Sequence, residues 1–141
     1  MIFLREKHRE EIYCHTNACL PEEACGLIGG TKSQTEIIIP VENTHHSPVR
    51  FRMDENKLAQ AFYVLDQLGM NLIGIFHSHP NGPSYPSQKD VLEWQYPHII
   101  HMLCVPKDLP KAMTPLENPT WELIGFKICG QAYYRVPIEI I

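Results

Sequence analysis

An unbroken apolar run over Asn71–Phe76 restricts the fold of this chain more than any other feature. It follows Gly69 and ends at the polar residues that begin with His77. Because its residues do not alternate between apolar and polar, the run predicts a strand buried on both faces. The residues that follow it stand at a strand end, where mixed sheets commonly present functional groups.

Three helices and five further strands are predicted around that run. The helices cover about Arg5–Ala18, Glu55–Leu68 and Ser87–Trp94. The other strands cover Ala24–Gly30, Thr35–Val41, Ile99–Val105, Trp121–Ile128 and Ala132–Ile141. Glu42–Arg52 and the proline-rich Pro106–Pro119 are predicted as irregular connections. Strands interleaved with helices, without a repeat or a shift in composition, predict one α/β (α+β) domain over residues 1–141.

The second helix has the clearest boundaries. Asp54 stands where an N-cap residue belongs, and Gly69 stands where a C-cap glycine belongs. One apolar face is predicted, formed by Leu58, Ala61, Phe62, Leu65 and Leu68.

Charge and cysteine content narrow the classes of partner. The net charge is -4 with a pI of about 6.0, and the basic residues are scattered, so neither nucleic acid nor an anionic membrane surface is an expected partner. No apolar run approaches the roughly 20 residues of a membrane helix. Five cysteines without a CxxC pair predict reduced, mostly buried thiols and a cytoplasmic protein.

The segment from His77 to Asp90 carries the strongest chemical signal. Side chains at i and i+2 of an extended segment share a face, so His77 and His79 can aim two imidazoles at one point while Ser78 points away. A turn rich in proline and glycine then returns the chain, and Asp90 in the first turn of the next helix can supply a carboxylate. Two histidines and one aspartate leave a position for water, the pattern of a catalytic zinc site.

Other interpretations of these residues remain open. Two histidines in HxH spacing also arise by chance, and Ser87-x-x-Asp90 is a capping-box pattern that can coexist with metal binding. A zinc-activated water needs a proton acceptor, for which both Glu22 and Glu23 are candidates, since partial burial would raise a carboxyl pKa. The alternative is that both are solvated acids at a strand start.

The remaining histidines and the cysteine beside Glu23 are given structural interpretations. His45 and His46 are predicted as a solvated loop pair. His98 and His101 fall on opposite faces at their spacing, so a metal shared between them is not expected. Cys25 is predicted to be a small buried residue, because the sequence places no positive neighbour that would activate a thiol.

Taken together, Glu23-Ala-Cys-Gly-Leu-Ile-Gly-Gly, His77-Ser-His-Pro and Ser87-x-x-Asp90 resemble the complete motif of the JAMM (MPN-plus) zinc metalloprotease family. The resemblance implies zinc ligands at His77, His79 and Asp90. It selects Glu23 over Glu22 as the general acid/base, and it implies that Ser87 helps to stabilise the oxyanion.

The same resemblance implies a fold and a substrate class. The family fold is a curved mixed sheet flanked by helices, related to cytidine deaminases, and the compact prokaryotic members cleave peptide or isopeptide bonds at the C-terminal tails of ubiquitin-like or sulfur-carrier proteins. The alternative is a non-catalytic MPN-type binding or scaffold module. Deaminase activity is not expected, because the chain lacks both HxE and PCxxC.

Overall fold

The computed structural model describes residues 1–107 and 119–141. The elements are β1 (Ile2–Leu4), α1 (Glu6–Cys19), β2 (Cys25–Thr31), β3 (Gln34–Val41), α2 (Glu55–Gln67), β4 (Asn71–Ser78), α3 (Gln88–Glu93), β5 (Ile100–Pro106), β6 (Trp121–Cys129), β7 (Ala132–Val136) and β8 (Ile138–Ile140). The predicted α/β organisation and the three helices are confirmed. Most of the predicted Pro106–Pro119 loop lies outside the described residues.

All eight strands of the described chain belong to one mixed sheet in the order β7-β6-β5-β4-β2-β3-β1-β8. Strand β1 runs parallel to β3 and to β8, and β4 runs parallel to β5, whereas the other pairs are antiparallel. Only Pro137 separates β7 from β8 along the chain, although these strands stand at opposite ends of the order. The sheet therefore curves until its two edges approach each other.

The prediction of one closing strand over Ala132–Ile141 is wrong. The strand ends at Val136, and Ile138–Ile140 pairs with β1 instead. Proline has no N–H to donate to a ladder, so a strand is readily interrupted at Pro137. The Pro137 carbonyl accepts a hydrogen bond from the Ile2 amide at 3.0 Å, which starts the new pairing.

The two central strands are buried on both faces, as the apolar run of β4 predicts. Ile28 and Phe76 pack with Ile12 of α1 in one core cluster. Their neighbours Leu27 and Ile75 pack with Ala61 of α2 in a second cluster. Since adjacent strand residues face opposite sides, α1 and α2 cover opposite faces of the sheet. The carboxyl end of β4 is consequently held from both sides.

Helix α2 begins and ends as predicted, but its apolar face is narrower. The Asp54 side chain accepts a hydrogen bond from the Lys57 amide, and Gly69 has a φ of 66° that ends the helix. Ala61 and Leu65 are buried, whereas Phe62 is 37% and Leu68 is 52% exposed. The i, i+4 line through Ala61 and Leu65 meets the sheet, so side chains to either side of it remain at the surface.

The five cysteines are free thiols, but most of them are not buried. Cys25 and Cys104 lie in central strands and are buried, which confirms the prediction for Cys25. Cys14 on α1 and Cys129 at the end of β6 are exposed, and Cys19 is intermediate. The prediction of mostly buried thiols is therefore wrong. None of the helices in the described ranges has the length and apolar character needed to cross a membrane.

Candidate metal centre

Strand pairing brings the predicted site residues together. Cys25 of β2 pairs with His77 of β4 in antiparallel register, so Glu23 just before β2 lies beside the end of β4. The His77 Nδ1 atom is 2.9 Å from Glu23 Oε1. Asp90 approaches from the start of α3, with its Oδ2 atom 3.2 Å from His79 Nε2 and 3.7 Å from His77 Nε2. Glu23, His77, His79 and Asp90 thus form one cluster, as the sequence predicts.

Local hydrogen bonds orient His79 and Asp90. His79 Nδ1 donates to the Pro83 carbonyl at 2.8 Å, which directs Nε2 toward Asp90. The Ser87 amide donates to Asp90 Oδ2 at 2.8 Å, and the Asp90 amide donates to Ser87 Oγ at 3.0 Å. The capping box predicted from Ser87-x-x-Asp90 is confirmed. One carboxylate oxygen therefore both caps α3 and faces the histidines.

Burial distinguishes the two candidate acids. Glu22 is partly exposed and lies 3.3 Å from the His46 ring, whereas Glu23 is 1% exposed. Burial raises the pKa of Glu23 to about 8, with the charge of Asp90 acting in the same direction and that of His79 opposing it. Of the two acids, only Glu23 belongs to the cluster.

The backbone of Glu23 is held as firmly as its side chain. Its amide donates to the Ser47 carbonyl at 2.9 Å, and its carbonyl accepts from Asn43 Nδ2 at 3.1 Å. Asn43 Nδ2 also donates to the Arg50 carbonyl, and Asn43 Oδ1 accepts from the amides of His45 and Arg52. Asn43 therefore fixes the connection 42–52 against Glu23. His45 and His46 are exposed on that connection, as predicted.

Ser78 ties the two strands that carry Glu23 and His77. Its Oγ atom accepts from the Ala24 amide at 2.8 Å, and its amide donates to the Ala24 carbonyl at 3.0 Å. The predicted direction of Ser78, away from the imidazoles of His77 and His79, agrees with these contacts. Its side chain fixes the spacing between Glu23 and His77 without joining the cluster.

His101 belongs to the cluster and was missed by the sequence analysis. It lies on β5, is 0% exposed, and places Nε2 2.6 Å from His77 Nε2. Its Nδ1 atom has no hydrogen-bond partner among the described residues. The available signal was a single histidine inside the apolar run Ile99–Val105. The pairing of β4 with β5, which a single sequence does not reveal, was needed to interpret it.

Phe51 is a second residue that the sequence did not indicate. Its ring stacks on the His77 imidazole with centroids 4.5 Å apart and an interplanar angle of 25°. It comes from the connection 42–52, which was predicted only as irregular. A phenylalanine in such a connection carries no signal of contact with a distant histidine.

Two members of the cluster, His77 and Asp90, have the protonation states that metal binding requires, whereas the hydrogen bond to Asp90 raises the pKa of His79 despite its burial. Burial lowers the pKa of His77 to about 3, so its imidazole is neutral. Burial opposes ionisation of Asp90, but the hydrogen bond from His79 and the nearby imidazoles hold the pKa of Asp90 well below its usual range. Neutral imidazole nitrogens and an ionised carboxylate are the forms that bind divalent metals.

The distances also fit a metal ion. Two groups of donors each place their ligand atoms within 4.8 Å of one another, and the groups are Glu23 with His77 and His79, and His77 with Asp90 and His101. Zinc bound tetrahedrally at its usual bond lengths separates its ligand atoms by about 3.3 Å. The 3.2 and 3.7 Å distances from Asp90 Oδ2 to the two imidazoles match that spacing.

A cavity of about 410 Å³ opens beside the cluster. Ser87, Asp90 and His101 form part of its wall, together with Arg50, Arg52 and Trp94. A substrate in this cavity would reach the carboxylate of Asp90 directly.

Comparison with known proteins gives matches of one kind. A family model described as prokaryotic homologues of the JAB domain matches residues 5–121. A probable TtuB-protein conjugate cleaving protease of Thermus thermophilus is 37% identical over 94 residues, which are 64% of this chain and 63% of that protein. The CysO-cysteine peptidase of Mycobacterium tuberculosis is 26% identical over 129 residues, covering 90% of this chain and 82% of that protein. The match thus spans under two thirds of the Thermus relative.

Solved structures agree with the fold. The solution structure of a protein from Desulfitobacterium hafniense matches with a TM-score of 0.84 at 28% identity, covering 100% of this chain and 93% of that one. A JAMM protein described by its metalloprotease-like zinc site in the proteasome and signalosome matches with a TM-score of 0.57 at 16% identity, covering 100% and 98%. These structures confirm the predicted curved mixed sheet, and the family model confirms the resemblance predicted from the motif.

Proposed function

Because the chain belongs to the family of prokaryotic homologues of the JAB domain, we propose that it is a zinc-dependent peptidase or isopeptidase. The observation that carries this proposal is the convergence of His77, His79 and Asp90 beside the buried acid Glu23, at the wall of an open cavity. The metal is proposed to be zinc because nitrogen and carboxylate donors at this spacing suit it. One catalytic domain over residues 1–141 is part of the same proposal.

A zinc ion held by His77, His79 and Asp90 would polarise the scissile carbonyl and lower the pKa of the attacking water. Glu23 accepts a proton as the oxygen of water bonds to the carbonyl carbon. It then donates a proton to the nitrogen as the carbon–nitrogen bond breaks. Its buried site suits both steps, since its pKa of about 8 without metal falls when a cation lies nearby.

Ser87 is proposed to stabilise the oxyanion. Its Oγ atom accepts a hydrogen bond from the Asp90 amide, so its own hydroxyl proton remains available for donation. Ser87 lines the same cavity as Asp90, where the substrate carbonyl would lie. A donor directed at developing negative charge stabilises the transition state more than it stabilises the neutral carbonyl. It therefore lowers the barrier.

The proposed substrate is a protein joined through its C-terminal tail to an amine. The relatives act, by their names, on TtuB–protein conjugates and on CysO-cysteine. For this chain we infer the same chemistry, cleavage after the tail of a ubiquitin-like or sulfur-carrier protein. The open cavity beside Asp90 accommodates an extended tail better than a folded domain. Five free thiols support action in the cytoplasm.

The test compares two neighbouring acids. Zinc-loaded Glu23→Gln is expected to keep one zinc per chain and to lose about 10²- to 10⁴-fold in cleavage of a carrier-protein fusion, because the proton acceptor is gone. Glu22→Gln removes an adjacent carboxyl that pairs with His46 outside the cluster, and it should cleave normally. Zinc content and cleavage are measured on the same samples.

Two results would contradict the proposal. Undiminished cleavage by Glu23→Gln would remove Glu23 from the mechanism. A folded native protein that neither takes up zinc nor cleaves any carrier fusion would favour a non-catalytic binding module instead.

A further inference from the structure

We propose that a surface depression beside Ser87 binds the acceptor side of the substrate, namely the aliphatic stem of a lysine joined to the carrier tail through its side-chain nitrogen. The inference rests on the proposed function and narrows its substrate class to isopeptides. It gives a binding role to Tyr85, Leu92 and Tyr133, which lie outside the metal cluster.

The depression has a volume of about 330 Å³ and is distinct from the cavity beside Asp90. The turn after β4, helix α3 and the β6–β7 hairpin form its walls and contribute Tyr85, Leu92 and Gln131, respectively. Ser87 lines both spaces, so the two meet at that residue. A substrate whose scissile carbonyl lies at Ser87 can therefore extend into both.

The sheet places Tyr133 on the same face as His101. Tyr133 pairs with Ile128, and Phe126 pairs with His101. Ile128 and Phe126 stand two residues apart on β6, so all four side chains share one face. The Tyr133 and Phe126 rings meet edge-on with centroids 5.6 Å apart, and Phe126 is 2% exposed. A buried ring therefore holds Tyr133 in position before a substrate arrives, which lowers the entropy lost on binding.

The walls of the depression are apolar and partly open to solvent. Tyr85 is 52% exposed, Leu92 is 63% exposed and Tyr133 is 42% exposed. Within residues 1–107 and 119–141, none of the residues that line the depression is charged, whereas Arg50 and Lys89 line the larger cavity. Large apolar side chains gathered at a protein surface commonly mark a binding site. The depression therefore suits an uncharged, apolar group that enters from solvent.

The acceptor end of an isopeptide has this chemistry. With the tail in the larger cavity and its last carbonyl at Ser87, the group on the scissile nitrogen continues into the depression. A lysine linked through its side chain places a neutral amide nitrogen there, followed by four methylenes that can pack against apolar walls. Hydrolysis breaks the bond between the carbonyl carbon and this nitrogen. Water supplies a hydroxyl to the carbon and a proton to the nitrogen, so the lysine leaves as a free amine.

A free amino acid fits the depression less well as the acceptor. Its carboxylate stands one carbon from the scissile nitrogen, so it would lose water against the side chains of Tyr85, Leu92 and Tyr133. Burial of a carboxylate is strongly unfavourable unless a charge or several hydrogen bonds compensate it. Gln131 offers an amide donor, but no cation lines the depression among the residues that the structure describes. Lysine-linked substrates are therefore favoured over carriers that end in a single added amino acid.

The test offers one carrier tail with three acceptors to the zinc-loaded native protein. The acceptors are a lysine side chain in a short blocked peptide, butylamine, which has the four-carbon stem alone, and alanine linked through its α-amine. The lysine and butylamine conjugates should have kcat/KM values about tenfold or more above that of the alanine conjugate, since each methylene removed from water contributes a factor of about four. Mass spectrometry of the released carrier measures all three.

A matched pair of tyrosines tests the assigned walls. Tyr133→Ala removes one wall and should lower kcat/KM about fivefold for the butylamine conjugate, with little change for the alanine conjugate. Tyr134→Ala makes the same change one residue later, where the side chain is 58% exposed, pairs with Lys127 and faces the other side of the sheet. It should match the native protein. The ratio of the two substrates, measured on one preparation, does not depend on the fraction of folded protein.

The outcomes separate the two proposals. A native kcat/KM for the butylamine conjugate that is no higher than for the alanine conjugate overturns the acceptor site and leaves the proposed function intact. The same substrate ratio in native protein and Tyr133→Ala also overturns it. If the zinc-loaded native protein cleaves none of the three conjugates, both proposals fail. A native preference that Tyr133→Ala loses and Tyr134→Ala keeps establishes the acceptor site.

Discussion

The proposed metal cluster has two sides that are built differently. The loop side consists of His79 and Asp90, whose partners lie 3 to 11 residues away along the chain. The strand side consists of Glu23, His77 and His101, whose contacts join residues 24 and 54 positions apart. The loop side keeps some exposure, with 11% of the Asp90 side chain accessible, whereas the strand side is 0–1% exposed.

The difference indicates separate roles for the loop side and the strand side. Strand pairing holds the strand side in place before any ion or substrate binds, so the proposed proton transfer would take place in a rigid, dry setting. The loop side borders the cavity and depends on one short turn and one capping box. We therefore expect the loop side to govern capture of the ion and substrate, and the strand side to govern the proton.

The largest expected effect comes from the loop side. Asp90→Asn keeps an oxygen that can accept from the Ser87 amide, but it removes the negative charge. We expect zinc affinity to fall about 100-fold or more and cleavage to fall below detection. Asp66→Asn, an exposed change on α2, serves as the control. Isothermal titration with zinc measures the affinity, and an unaltered affinity in Asp90→Asn would contradict the role of Asp90.

The buried acid of the strand side, Glu23, should make the stability of the metal-free protein depend on pH. The folded pKa of Glu23 is about 8, above its ordinary value of 4.5, so the folded state binds more protons between these pH values. The free energy of unfolding therefore falls as pH rises from about 4.5 to 8. Compared with Glu23→Gln, the native protein should lose on the order of 4 kcal/mol over this range. Urea denaturation with a chelator present measures the free energy of unfolding of the native protein and of Glu23→Gln at each pH. Parallel curves for the two proteins would contradict burial of the acid.

Ser87 tests whether the capping residue on the loop side also acts on the substrate. Ser87→Ala should lower the free energy of unfolding by about 1 kcal/mol through loss of the cap. If the hydroxyl also donates to the oxyanion, kcat should fall about 10²-fold or more. Asp54→Ala removes the cap of α2 outside the cluster and should lower stability alone. Equal kcat values for the two variants would limit Ser87 to capping.

The same contrast explains what the sequence could predict. His77, His79 and Asp90 were found because their geometry follows from i, i+2 spacing, a turn and a helix start, which are all local. Glu23 was separated from Glu22 only by resemblance, since its burial depends on β2 pairing with β4. His101 was missed because it meets His77 only through the pairing of β4 with β5.

The predictions of the fold show the same difference between local and long-range features. The three helices and the strands β2 to β6 agreed with the patterns to within a few residues, because each is set by periodicity and by local signals such as Asp54 and Gly69, whereas β1 was not predicted. The closing strand was wrong because its division at Pro137 depends on β1, a partner at the other end of the chain. Strand order carries no local signature, so neither the curvature of the sheet nor the burial of the cluster could be derived.

The pairing of β1 with β8 has a consequence for how the molecule opens. It matches Ile2 with Ile138, so it closes a loop that contains nearly the whole described chain. Loop-closure entropy opposes such contacts more than local ones, and β8 contributes only three residues. We expect amide hydrogens of β8 to exchange with solvent well before those of β2 and β4. Loss of this seam would uncover an unpaired edge at β1 and leave the central strands, with the proposed metal centre, intact.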